Sequence, residues 1–154
     1  MPHNAQTAYH LDFGPEFVAR GVVSKEPPAV GKAFPIFVPQ PDADGNDRGG
    51  ITLPELAVPV ATYTGWNLRK LESGAATERV SFLGSTIPFA KTAAERQQSG
   101  DPRPSIAERY HSREEYLGRY AEAALKLVRE RFLLAEDLPA VLQRGAAEWD
   151  AIMK

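Results

Sequence analysis

Apolar residues recur at helical spacing through the last third of the chain. From Arg113 to about Arg131 they follow i, i+3, i+4, i+7 and i+11 spacing, which predicts an amphipathic helix. A second helix is predicted from about Leu138, with Pro139 near its first turn. The predicted stripes are Leu117, Tyr120, Ala121, Ala124 and Val128 on the first helix, and Val141, Leu142, Ala146, Trp149 and Ile152 on the second. Together they predict an antiparallel helical hairpin.

Ser/Thr-x-x-Glu patterns mark the starts of the predicted helices. In a capping box, the hydroxyl accepts a hydrogen bond from an unpaired backbone N–H and the carboxylate reaches back toward the cap. Gly100 is the predicted end of the first of these helices. The pairs are Thr92 with Glu95, Ser105 with Glu108, and Ser112 with Glu115.

In the first part of the chain, apolar and polar residues alternate in a way that favours strands. Twelve of the thirteen prolines lie within residues 1–104, which argues against long helices there. An open hairpin is predicted, because apolar positions flank the turn-forming residues 42–47. A further strand is predicted to end at Gly65, and prolines mark sheet edges. The hairpin positions are Phe34, Ile36, Val38, Ile51 and Leu53; the later strand has Val58, Val60, Thr62 and Thr64, with Pro54 and Pro59 at its edges.

These elements predict an α+β fold. We expect one unit over residues 1–154, with an extended, proline-rich β/loop part over 1–91 and a helical part over 92–154 that ends in the helical hairpin. The size and apolar content suffice for one core.

Charge and composition narrow the functional classes. The formal net charge is −2 and is spread evenly, which gives no support for binding to nucleic acid or to an anionic membrane. No apolar run is long enough to span a bilayer. There are no cysteines, which excludes disulfides and thiolate chemistry and suits a reducing compartment. We therefore expect a cytoplasmic protein without a cofactor.

The residues needed for hydrolase catalysis are not arranged as a catalytic site. A nucleophile elbow requires Gly-x-Ser-x-Gly, whereas Gly84 directly precedes Ser85 and Ile87 follows two positions later. A triad also requires an oriented histidine, and the histidines are His3, His10 and His111. We expect Ser85 to be structural and His111 to be non-catalytic.

The acidic loop 42–47 raises the question of calcium binding. An EF-hand loop has glycine at position six and glutamate at twelve, but Gly45 stands at position four and Leu53 at twelve. A solvated Asp-Gly turn without a metal is the prediction.

Four neighbouring side chains form the candidate contact surface. Tyr63, Trp66, Asn67 and Arg69 combine aromatic rings, an amide and a guanidinium, a set typical of pockets and interfaces. A buried strand end would give the same pattern, so a structural role remains the alternative.

Several stretches resemble a family of large bacterial α/β-hydrolase domain proteins. They are Phe34 to Pro39 with residues 42–47, Ala61 to Arg69, Gly84 to Ala90, and Gly100 to Ile106. The resemblance implies the C-terminal segment of a longer polypeptide whose hydrolase-like region precedes it, and it assigns no catalytic residue here. We therefore expect a segment that completes a separately encoded hydrolase-like body or self-associates. A free-standing protein-binding module and a gene fragment remain the alternatives.

Overall fold

The computed structural model describes residues 8–35, 37, 39–76, 78–80 and 82–154. These residues form two compact units. The first comes from 1–38 and 68–79, and the second from 39–67 and 80–154. The expectation of a single unit stays a prediction.

The first unit is built on a short antiparallel hairpin. Strand β1, Tyr9–Asp12, pairs with β2, Ala29–Ala33, and helix α1, Phe17–Arg20, lies between them in sequence. Every residue of both strands is exposed. A 3-10 turn at Leu71–Ser73 lies in the later segment of this unit.

The second unit contains most of the regular structure. Its elements are α2 Pro54–Ala57, β3 Ala61–Thr64, β4 Ser85–Pro88, α3 Ala93–Ser99, α4 Ile106–Arg109, α5 Arg113–Arg129, a 3-10 turn Ala135–Asp137 and α6 Leu138–Met153. Strands β3 and β4 pair antiparallel, with Thr62 opposite Ile87. As predicted, β3 ends just before Gly65. It begins only at Ala61, however, so Val58 and Val60 of the predicted strand precede it, and Pro54 begins α2 and does not mark a sheet edge.

The predicted hairpin around the acidic loop is wrong in its second strand. The turn itself is present, since Pro41 and Asp47 form an isolated bridge across it. Leu53, however, is the cap of α2, and Pro54 is the first residue of that helix. Proline fixes φ at a helical value, so the chain turns here instead of extending. Ile36 and Val38 of the predicted first strand lie outside the described residues.

The predicted helix starts are confirmed. Thr92 and Ser112 each accept a hydrogen bond from the backbone N–H three residues later, and the Glu108 carboxylate accepts one from the Ser105 N–H at 2.8 Å. Gly100 ends α3 in the left-handed conformation, with φ of 67°. The start of α6 at Leu138 also agrees with the prediction.

The core of the second unit lies between α5 and α6, with β3 and the short helices against it. Tyr116 and Trp149 pack with ring centroids 4.8 Å apart. The predicted stripe on α5 was displaced, because Leu117, Ala121 and Val128 are only half-buried. The aromatic Tyr116 takes the central position instead, and the buried residues of α5 are Tyr116, Tyr120, Ala124 and Leu127.

The α+β class with a C-terminal helical hairpin is thus confirmed. In the described part of the chain, no helix has the length and apolar character that crossing a bilayer requires.

Candidate functional site

The acidic loop 42–47 is anchored against β3 by one buried amide. Asn46 is 1% exposed; its Nδ2 donates to the Ala61 carbonyl at 3.2 Å and its Oδ1 accepts from the Tyr63 N–H at 2.7 Å. A neighbouring strand would make this same pair of bonds. Asn46 therefore occupies the edge of β3 that does not face β4.

The loop carboxylates are held both by backbone N–H groups of the loop itself and by an arginine of α4. Asp42 Oδ1 accepts from the N–H groups of Asp44 and Asn46, each at 2.9 Å. The Asp44 carboxylate is paired with Arg109, with Nη1 to Oδ2 at 2.8 Å, and both side chains are mostly buried. The predicted turn is present and exposes Ala43, Gly45 and Asp47. It is not solvated throughout, because Asp44 pairs with Arg109 and Asn46 bonds to the edge of β3.

Arg103 ties the end of β4 to the segment before α4. Its Nη1 donates to Thr62 Oγ1 at 2.7 Å and to the Ile87 carbonyl at 3.1 Å, and its Nη2 donates to the Pro88 carbonyl at 3.3 Å. Asp101 accepts from Nη2 at 2.6 Å and from Nε. These bonds from Arg103 lower the pKa of Asp101 from 3.8 to about 2.

One phenyl ring lies under both arginines. The guanidinium carbons of Arg103 and Arg109 are 5.0 Å and 4.3 Å from the centroid of Phe89, which is 3% exposed. Such contacts add to the ion pairs. We call Asp44, Phe89, Asp101, Arg103 and Arg109 the arginine cluster. Because each guanidinium is already paired with a carboxylate, the cluster is suited to holding segments together and not to binding an anion.

A second polar group, the carboxylate network, lies between β3, α2, α5 and α6. The Tyr63 hydroxyl donates to Glu148 Oε1 at 2.6 Å, and Arg144 forms an ion pair with Glu55. The Glu55 Oε2 atom and the Tyr120 hydroxyl are buried and have no hydrogen-bond partner among the described residues. Glu55 and Arg144 both influence the pKa of Tyr120, but neither side chain lies in hydrogen-bonding geometry with the Tyr120 hydroxyl.

Burial dominates the titration of this network. It raises the pKa of Glu148 above 4.5; the bond from Tyr63 opposes that rise and the nearby Glu55 charge adds to it. Burial, reinforced by the bond to Glu148, also raises the pKa of Tyr63 far above 10.0. The pKa of Tyr120 rises to about 12, chiefly through burial.

Second-unit residues from each of the four stretches that carry the family resemblance meet at the arginine cluster. Residues 42–47 supply Asp44, the β3 stretch supplies Thr62, the β4 stretch supplies Phe89, and Gly100 to Ile106 supplies Asp101 and Arg103. A family model described as alpha/beta hydrolase domain matches residues 5–143.

The chain belongs to the alpha/beta hydrolase domain family. No curated protein and no solved structure matches it. The arginine cluster, which joins the acidic loop, the sheet and α4, lies wholly within the matched residues.

The candidate contact residues are placed in different settings. Tyr63 is half-buried and bonded to Glu148. The Trp66 carbonyl accepts from Thr64 Oγ1 at 2.5 Å, and Asn67 accepts a backbone bond in the second unit. Arg69 belongs to the first unit and is exposed, with its Nε 3.7 Å from Glu78. Their role as a contact surface stays a prediction.

Ser85 and His111 have structural partners in this member of the family. The Ser85 hydroxyl donates to the Trp66 carbonyl at 2.9 Å. His111 is exposed, and its backbone N–H donates to Glu115 at 2.8 Å. The serine proton is therefore engaged by a carbonyl and not by an imidazole.

Sequence reasoning missed the residues that organise both clusters. Asn46 was treated only as part of a turn, and Arg103 and Arg109 were not singled out. One signal was available: Asp101-Pro102-Arg103 places an acid and a base two residues apart, with a proline between them and another directly after. Glu55 and Glu148 gave no signal, because their proximity depends on the packing of α2 against the helical hairpin.

Proposed function

We propose that this chain is a non-catalytic, structural segment of an α/β-hydrolase-type protein and completes its hydrolase-like body. The observation that carries the proposal is the arginine cluster. The stretches typical of the family supply bonds that hold this segment together, and their charged groups are already neutralised by one another. A catalytic segment would instead present activated groups to a cleft.

The serine and histidine contacts support the absence of independent catalysis. Acyl transfer by serine requires its hydroxyl proton to pass to a base. The Ser85 hydroxyl donates a hydrogen bond to the Trp66 carbonyl, and a backbone carbonyl is not basic enough to take the proton. His111 lies beside the cap of α5, is exposed, and donates its backbone N–H to Glu115.

The exposed apolar side chains of the second unit support a docking role. A groove of about 480 Å³ lies between residues 50–57 and α5, and Leu127 forms part of its wall. At its rim, Ile51 is 50% exposed and Phe132 is 58% exposed. Contiguous apolar surface of this kind is typical of interaction sites. Strand addition to β3 is disfavoured, because a partner strand would have to displace Asn46.

The hydrolase-like body is the occupant that family membership favours for this groove. A free-standing module that binds another protein would use the same surface. In either case we expect the chain to act in the cytoplasm. The identity of the captured protein separates the two proposals.

Affinity capture from the source cell extract tests this function. We expect tagged chain to retain, in stoichiometric amount, a polypeptide that carries a Gly-x-Ser-x-Gly elbow. Phe132→Ser should abolish capture, whereas Leu125→Ser, a change at an exposed α5 position outside the groove, should not. Capture of a protein without the elbow would favour the free-standing module, and capture unaffected by Phe132→Ser would refute docking through the groove.

A further inference from the structure

Among the polar contacts that helix α6 makes with the rest of the second unit, two are of opposite character. Its inner side carries Glu148, whose Oε1 accepts from the Tyr63 hydroxyl at 2.6 Å. Its outer side carries Asp150, which pairs with Arg113 of α5 at 2.8 Å. The first contact is largely withdrawn from water, while the second is half-exposed.

The surroundings of Glu148 are poorly suited to a negative charge. Among the described residues, the titratable groups that act on it are Tyr63 from β3, Glu55 from α2, Tyr116 from α5, and Arg144 from α6 itself. Arg144 is the only cation among them, and it is already engaged by Glu55. Its side chain is also 60% exposed, so water screens it.

Loss of the proton from Glu148 therefore brings a second carboxylate charge into a site that neutralises only one. Glu55 Oε2 is buried there and accepts no hydrogen bond from the part of the chain that the structure describes, which makes the site more sensitive to added negative charge. The charge can be relieved by moving Glu148 toward water. Because Glu148 is part of α6, that movement would loosen the helix from β3 and α2.

We propose that Glu148 is a proton-controlled latch for helix α6, which holds the helix against β3 and α2 while protonated and loosens it after deprotonation. The direction of its titration agrees, since burial raises the pKa of Glu148 in the folded chain. A raised folded pKa gives stability that is complete below the unfolded value and is lost as pH rises through the folded value. The loosening should therefore begin above the ordinary value of 4.5.

The test is amide hydrogen exchange of α6 in the full chain across pH 4.5 to 8, corrected for the intrinsic pH dependence of exchange. Wild-type protection of α6 should fall as pH rises, whereas Glu148→Gln should keep protection constant because its side chain does not titrate. Asp150→Asn is the matched control on the same helix. It removes a carboxylate whose pKa is lowered by Arg113, so it should keep the wild-type fall.

Two further variants shift the latch in opposite directions and do not depend on the folding of Glu148→Gln. Tyr63→Phe removes the bond that lowers the pKa of Glu148, so the carboxyl resonance of Glu148 should titrate at higher pH than in the wild type. Glu55→Gln removes a charge that raises this pKa, so the titration should move to lower pH. Equal loss of protection in wild type and Glu148→Gln, or titration of Glu148 at its ordinary value, would overturn the proposal.

Discussion

Replacement of Asn46 by alanine should destabilise the second unit strongly, although the residue stands in a loop. The substitution would leave the Ala61 carbonyl and the Tyr63 N–H without the partners that now lie at 3.2 and 2.7 Å. A buried backbone group left unpaired costs about 1–3 kcal/mol. Two such groups give a loss of roughly 2–6 kcal/mol in the free energy of unfolding, a large part of the total for a domain of this size.

Urea unfolding followed by tryptophan fluorescence measures this loss, since Trp149 is buried in the same unit. Asp47→Ala is the neighbouring control at an exposed position, with an expected change within about 0.5 kcal/mol. Asn46→Asp keeps the acceptor for Tyr63 but, when ionised, cannot donate to Ala61. Its deficit should shrink as pH falls toward about 3.9, where the protonated acid becomes a donor. Equal stability of the Asn46 and Asp47 alanine variants would refute the role assigned to the amide.

Other substitutions test the packing and the charges directly. Gly145→Ala would put a Cβ 2.7 Å from the ring of a buried tyrosine on α5 and should lower the free energy of unfolding in urea by about 1–3 kcal/mol. Gly118→Ala, which meets open space, should instead raise it by up to about 1 kcal/mol. A Gly145→Ala variant more stable than Gly118→Ala would contradict the packing. The folded pKa of Asp101 is lowered by Arg103 from 3.8 to about 2. The stability that this ion pair contributes to folding is therefore complete above pH 3.8 and is lost as pH falls toward 2. Asp101→Asn should reduce the dependence of the melting temperature on pH over that range, and an unchanged dependence would refute the pairing. Arg69→Ala should change unfolding free energy by no more than about 0.5 kcal/mol because the side chain is exposed, and a larger loss would show that Arg69 is packed internally.

Local signals predicted the elements whose determinants lie close in sequence. Thr92, Ser112 and Gly100 define helix ends through bonds within one turn, so spacing alone located them. Pro139 and the apolar periodicity placed α6 for the same reason. The second strand of the hairpin around the acidic loop was missed because Leu53 has the apolar character of a strand residue while the following proline favours a helical start.

The clusters could not be predicted in the same way, because their partners are distant in sequence. Asp44 and Arg109 are 65 residues apart, and Tyr63 and Glu148 are 85 apart. No periodicity links such pairs. The rotation of the buried stripe on α5 likewise depends on Tyr116 meeting Trp149 across the helical hairpin, a contact that the sequence of α5 alone does not encode.

The most direct measurement of the central claim is labelling of the purified chain with a fluorophosphonate, which reacts covalently with activated serines, together with hydrolysis of short p-nitrophenyl esters. The account predicts no labelled peptide and no rate above the uncatalysed background, because the Ser85 proton is held by the Trp66 carbonyl. Labelling mapped to Ser85, with a saturable ester hydrolysis that disappears in Ser85→Ala, would contradict it.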